Sequence, residues 1–158
     1  MKHVFPLLNI LFFLGTGGSF VSAQVYTQTM LIPFKNNNEW GYINKAGQTM
    51  IQPRFAEAAP FDQGLAVVKM RLPETKELRV GIIDTTGLFV VEPVYTEIGR
   101  FAERLARVKI DGLYGYIDRT GKMIIEPQFQ EAQDFSEGYA RVRVLSNYGL
   151  IDKYGKFA

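Results

Sequence analysis

The sequence predicts an all-β fold: a tandem array of three-stranded antiparallel meanders in an open, curved, solenoid-like stack, following an N-terminal signal peptide. Three observations predict it. One phrase is written four times, starting at Trp40, Val80, Tyr114 and Tyr148, with spacings of 40, 34 and 34. Each copy carries a turn signature after a short apolar run. And 15 glycines with 12 phenylalanines suit strands and turns better than helices. Propeller blades usually have four strands and about 40–45 residues, so a propeller-like closure is the second choice.

Residues 1–23 differ in kind from the rest. A basic start, MKH, leads into an apolar core over residues 4–14, interrupted by Pro6 and Asn9. Small residues follow, ending at Val21-Ser22-Ala23. This is the layout of a cleaved secretory signal, and the core is shorter than the roughly 20 residues of a spanning helix. Cleavage after Ala23 leaves a repeat domain over 24–158, and no stable membrane span is expected. The chain has no cysteine, so neither a disulfide nor a lipid anchor at the cleavage site is expected. Cleavage also removes Lys2 and the single histidine, His3. The remaining charge is nearly balanced, which gives no basis for nucleic-acid binding.

The elements follow in order. The first unit borrows MLIPF (30–34), and WGYIN, VGIID, YGYID and YGLID form the middle strands. The turns are Asn44-Lys45-Ala46-Gly47, Asp84-Thr85-Thr86-Gly87, Asp118-Arg119-Thr120-Gly121 and Asp152-Lys153-Tyr154-Gly155. Asp or Asn caps a type I turn with its side chain, and glycine at the fourth position takes positive φ. TMIQP, FVVEP and MIIEP come next, with Pro53, Pro93 and Pro127 expected to stop the strand. Linkers 54–64, 94–104 and 128–138 carry aromatics that pin them to the core. LAVVKM, LARVKI and YARVRV are the third strands, returning through a charged loop (71–79), Asp111-Gly112 or Ser146-Asn147. The fourth copy is clipped, and self-association through 139–158 is expected from an uncovered edge.

Glycine recurs inside the middle strand at Gly41, Gly81, Gly115 and Gly149. Glycine weakens a strand, so close approach by a backbone or a ring is expected there. Ile43, Ile83, Ile117 and Ile151 read as a core ladder, each worth about 1.5–3 kcal/mol when buried. Ala66, Ala106 and Ala140 read as tight packing positions. Gly64 and Gly138 end two linkers, whereas Arg104 ends the other; if the site needs positive φ, Arg104 costs about 1 kcal/mol or more.

The pattern aromatic-Gly-x-Ile-Asp/Asn-x-x-Gly, then Pro-x-aromatic, then Phe-x-x-Gly-x-Ala resembles the WG-repeat family of bacterial proteins. Trp40-Gly41 is the name-giving pair, Tyr114-Gly115 and Tyr148-Gly149 are variants, and Val80-Gly81 departs by losing the aromatic. The resemblance spans about residues 29–158. It implies an array of short β-units, usually in exported or envelope-associated proteins, and no catalytic residues.

Without histidine or cysteine in the mature chain, nucleophilic triads and zinc sites lack their usual residues. No cofactor is expected. Carboxylate-pair chemistry, as in glycosidases, is the remaining enzymatic route, but Glu57, Glu97, Glu131, Glu92 and Glu126 recur at equivalent positions, which suits structure better than one asymmetric site. Two candidate binding sets remain. Lys69, Arg107, Lys109, Arg141 and Arg143 alternate on one face of the third strands and would line up on stacking. Their bland reading is a solvated face, paired with Glu92 and Glu126. The aromatics Trp40, Tyr114 and Tyr148, with Tyr42 and Tyr116, would anchor a partner if exposed and build core if buried. The expected function is an exported, non-catalytic module that binds or scaffolds another protein at the envelope or outside the cell. An anionic surface polysaccharide is the alternative ligand, and glycoside hydrolysis ranks last.

Overall fold

The structure, a computed structural model, describes residues 30–158; the expected signal peptide lies outside the described residues. Fourteen strands and no helix are present among them. They form four antiparallel sheets in chain order, none closed on itself. Module 1 is β1 (Ile32–Asn36), β2 (Glu39–Ile43) and β3 (Thr49–Phe55), in that order. Module 2 is β4 (Glu57–Ala58), β5 (Leu65–Arg71), β6 (Leu78–Asp84) and β7 (Phe89–Tyr95). Module 3 repeats it with β8 (Glu97–Ile98), β9 (Leu105–Ile110), β10 (Leu113–Asp118) and β11 (Met123–Phe129). Module 4 has β12 (Glu131–Ala132), β13 (Ala140–Val144) and β14 (Asn147–Ile151). The meander is therefore three strands plus a two-residue strand contributed by each linker.

The Asx turns form as the sequence predicts. Asp118 Oδ1 accepts from Thr120 N (2.8 Å), Thr120 Oγ1 (2.6 Å) and Lys122 N (3.1 Å), and Gly121 has φ 85°. Asn44, Asp84 and Asp152 cap their turns in the same way. The linkers hold a feature that the sequence reading missed. Gln63-Gly64, Glu103-Arg104 and Glu137-Gly138 all have positive φ, which makes each a two-residue type I′ hairpin. Arg104 follows the same path as the glycines, at φ 75°. The β13–β14 connection is Leu145-Ser146, one residue before the expected turn, because Asn147 pairs with Val144.

The prolines do not stop their strands. Pro53, Pro93 and Pro127 lie inside β3, β7 and β11. Trp40 pairs with Phe55 and Tyr42 with Ile51, so one residue between the pairs on β2 faces three on β3, and Pro53 rides the resulting bulge. A bulge on an edge strand needs no ladder N–H from proline. The bulge also explains the glycines. A Cβ on Gly41 would sit 2.7 Å from Pro53 N, and one on Gly115 2.8 Å from Pro127 N. Backbone folds over the glycine, rather than the preceding aromatics. In module 4 the Phe157 ring takes that place, 2.7 Å from a Gly149 Cβ.

Burial follows from alternation along the middle strand. Ile82 packs with module 3, in the cluster of Val91, Tyr95, Ala106, Val108 and Ile117. Ile83 points the other way, to module 1's Tyr42, Ile51 and Phe55, beside Ala66 and Val68. Tyr116 and Ile151 meet in the third cluster with Phe135, Ala140 and Val142. Thus each interface between modules has its own core, in place of one continuous ladder. Ile43 is only half-buried, with no preceding module among the described residues. The phenols of Tyr42 and Tyr116 are fully buried and donate to Ala59 O (2.7 Å) and Gln133 O (2.8 Å). The linker rings Phe61 and Phe135 lie against these two tyrosines.

Candidate functional site

The linker strands create the site. Each linker leaves a strand of one module and pairs with the third strand of the next, setting Glu57 opposite Lys69, Glu97 opposite Lys109 and Glu131 opposite Arg143. On the other side of the same basic positions stand Val80, Tyr114 and Tyr148. A row of acid, base and aromatic therefore crosses each of modules 2 to 4, with the aromatic missing from module 2.

The charges are mostly spent within the row. Lys69 Nζ lies 2.8 Å from Glu57 Oε2. Arg107 bridges modules: it donates to Glu97 Oε1 within module 3 and to Asp134 Oδ1 in module 4, and Arg100 also reaches Asp134. Burial works against the charged guanidinium of Arg107, yet the carboxylates of Asp134 and Glu97 outweigh it and raise its pKa. Arg143 Nε sits 2.9 Å from Glu131 Oε1, but no hydrogen bond forms at that nitrogen, so the contact is an ion pair alone. The partners are the linker glutamates, not Glu92 and Glu126 as alternation suggested; the linker strand, invisible in the sequence pattern, brings them alongside.

Lys109 and Arg141 have no ion-pair partner among the described residues. They lie over rings, Lys109 Nζ 4.8 Å from the Tyr114 centroid and Arg141 Cζ 5.0 Å from that of Tyr148. The hydroxyls of Tyr114 and Tyr148 donate to Glu97 Oε2 (2.9 Å) and Glu131 Oε2 (2.8 Å). Burial and then Glu97 raise the Tyr114 phenol; for Tyr148 the bond to Glu131 is the first cause. The Tyr148 bond, followed by the nearby arginines, holds Glu131 below the usual carboxylate range.

The aromatics separate by exposure. Tyr42 and Tyr116 are core. Trp40 and Tyr114 are half-buried at the edges of their clusters, while Tyr148 is 55% exposed. Tyr114, Arg141 and Tyr148 share a groove of about 210 Å³ with Glu131 and Gln133. Trp40 pairs instead with Lys35 across β1 and β2. Lys35 belongs to the row and was missed. Its position five residues before Trp40 matches Lys109 before Tyr114 and Arg143 before Tyr148, which is the signal that finds it.

A β-repeat array with independent sheets, one core per interface and a recurrent surface row defines a class of modular repeat proteins. The WG containing repeat matches residues 40–71, 81–114 and 114–148, and the chain belongs to that family. Neither curated proteins nor solved structures yield a match.

Proposed function

We propose that the chain is an exported, non-catalytic module that binds another protein through the row of Lys69, Arg107, Lys109, Arg141 and Arg143 with Trp40, Tyr114 and Tyr148. The observation that carries this is Lys109 resting on Tyr114 and Arg141 on Tyr148, with Tyr114, Arg141 and Tyr148 lining the module 3–4 groove. A cation over a half-exposed ring presents charge and apolar area together, the composition of interface anchors. Three of the five candidate carboxylates, those on the linkers, are engaged: Glu57 by Lys69, Glu97 by Arg107 and Tyr114, Glu131 by Arg143 and Tyr148. That favours binding over acid–base work, since a general base needs free access to its proton.

Export rests on residues 1–23. No helix among the described residues is long and apolar enough to cross a membrane. Self-association is proposed through β14, whose outer edge is met, among the described residues, only near its end, by the Ile151–Phe157 bridge and Ala158 N on Leu150 O. Leu150, Tyr154 and Phe157 are exposed beside it. An unpaired edge with apolar neighbours favours pairing with a second copy.

The test is capture from envelope extract by the wild-type chain and by a Lys109→Glu/Arg141→Glu variant of matched stability. A protein retained by the first and lost by the second supports the row. Equal retention by both defeats it. A surface polysaccharide is the second reading, favoured by Tyr148 as an exposed ring; glycan binding lost in Trp40→Ala and Tyr148→Ala, with no protein captured, would put it first.

A further inference from the structure

The row is broken in one place. A basic residue stands opposite an aromatic one in module 1 (Lys35, Trp40), module 3 (Lys109, Tyr114) and module 4 (Arg143, Tyr148). In module 2, Lys69 stands opposite Val80. A second position changes with it. Arg107 and Arg141, two residues before the cross-strand base, correspond to Val67. Where both large side chains are replaced by valine, a groove of about 380 Å³ opens between modules 2 and 3. Glu57, Val67, Lys69 and Val80 line one side, and Thr96 and Glu97 the other. At the module 3–4 junction, where Tyr114 stands in place of Val80, the groove it shares with Arg141 and Tyr148 is about 210 Å³.

The polar groups of module 2 are left one partner short of its neighbours. Glu97 and Glu131 each accept a tyrosine hydroxyl besides a cation. Glu57 has Lys69 alone among the described residues, and its side chain is 65% exposed. Lys69 has no ring to rest on among the described residues, whereas Lys109 at the equivalent position lies over Tyr114.

We propose that this groove is a socket for a tyrosine side chain of a partner protein. The ring seats over Val80 with its face toward the Lys69 ammonium, and the hydroxyl donates to Glu57. It reproduces between two chains what Tyr114 does with Glu97 and Lys109 within one. The site takes a phenol in preference to a plain aromatic, because an exposed carboxylate gains a donor only from the hydroxyl. This inference rests on the protein-binding reading of the row and names one of its contacts.

The experiment is an amide-shift titration of the full chain with N-acetyltyrosinamide. Saturable shifts are expected at residues 57–59, 67–69, 80 and 96–98. N-acetylphenylalaninamide is expected to bind roughly tenfold more weakly, the usual effect of losing a hydrogen bond to a charged group. Val80→Tyr should abolish the shifts without loss of cooperative unfolding, since modules 3 and 4 carry tyrosine at that position; Val80→Phe is the second filling variant. Absence of shifts at these residues, shifts that persist in both filled variants, equal binding of the two amides, or saturation by methyl glucoside in place of the phenol would each overturn the socket. Envelope proteins released by Lys109→Glu/Arg141→Glu but retained by Val80→Tyr would sink the socket alone and leave the row standing.

Discussion

Gly115 and Gly149 occupy equivalent positions for different physical reasons, and that difference is measurable. An added methyl on Gly115 meets the backbone at Pro127, which cannot move without undoing the bulge. On Gly149 it meets the Phe157 ring, which can rotate away. Gly115→Ala is expected to cost about 2–3 kcal/mol and Gly149→Ala under about 1 kcal/mol, compared by urea unfolding. Arg104, held at φ 75° where its counterparts are glycine, makes the opposite case. Arg104→Gly is expected to stabilise by about 1 kcal/mol, the relieved strain exceeding the added chain entropy. Asp84 and Asp118, with Glu103 and Glu131, contribute to the acid limb of stability. Hydrogen bonds from Thr86 and Thr120 are the first causes lowering the pKa of the two aspartates below the ordinary 3.8. A carboxylate with a depressed folded pKa stabilises the fold above its unfolded pKa and loses that contribution as pH falls through the folded value. Asp84→Asn/Asp118→Asn should therefore flatten the stability profile below about pH 3.8, with Asn44 showing that asparagine can cap the turn.

At the scale of elements, the interface between modules is where packing and polar bonds coincide. Tyr42 and Tyr116 each cover the next module and anchor the hydroxyl on that module's linker. Tyr116→Phe keeps the ring and removes the bond to Gln133 O; about 1 kcal/mol should be lost in denaturant unfolding. The same tyrosines contribute to the alkaline dependence of stability. Burial pushes both phenols far above the ordinary 10.0. A raised folded pKa means that the contribution is full below the unfolded pKa and is lost as pH climbs above it. Stability should fall as pH rises above about 10, and that fall should be shallower in Tyr42→Phe/Tyr116→Phe, compared by urea unfolding across the pH range. Further ties clasp each interface: Arg54 on Gly87 O, Arg119 on Asp62 O and Gln63 O, and Glu103 with Lys153 and Gly138 N.

For the whole molecule, stability is a sum over modules and their interfaces, so damage should stay local. Much of this was legible in the sequence. Turn geometry depends on four adjacent residues, so Asp118 through Gly121 could be read directly. Core positions such as Ile83 and Ala106 followed from recurrence and alternation, because copies share one environment. The number of modules, their antiparallel strands and the small or apolar residues at their contacts were determined by the sequence itself, since each depends on chemistry within about a dozen neighbouring residues. What only the tertiary structure decided lies between modules. It placed Pro127 over Gly115, turned the linker glutamates toward the cations, split the interior into three cores and opened the groove at Val80. These outcomes join residues from different strands and sheets, and their meeting depends on bulge, register and sheet stacking, none of which leaves a periodic trace along the chain.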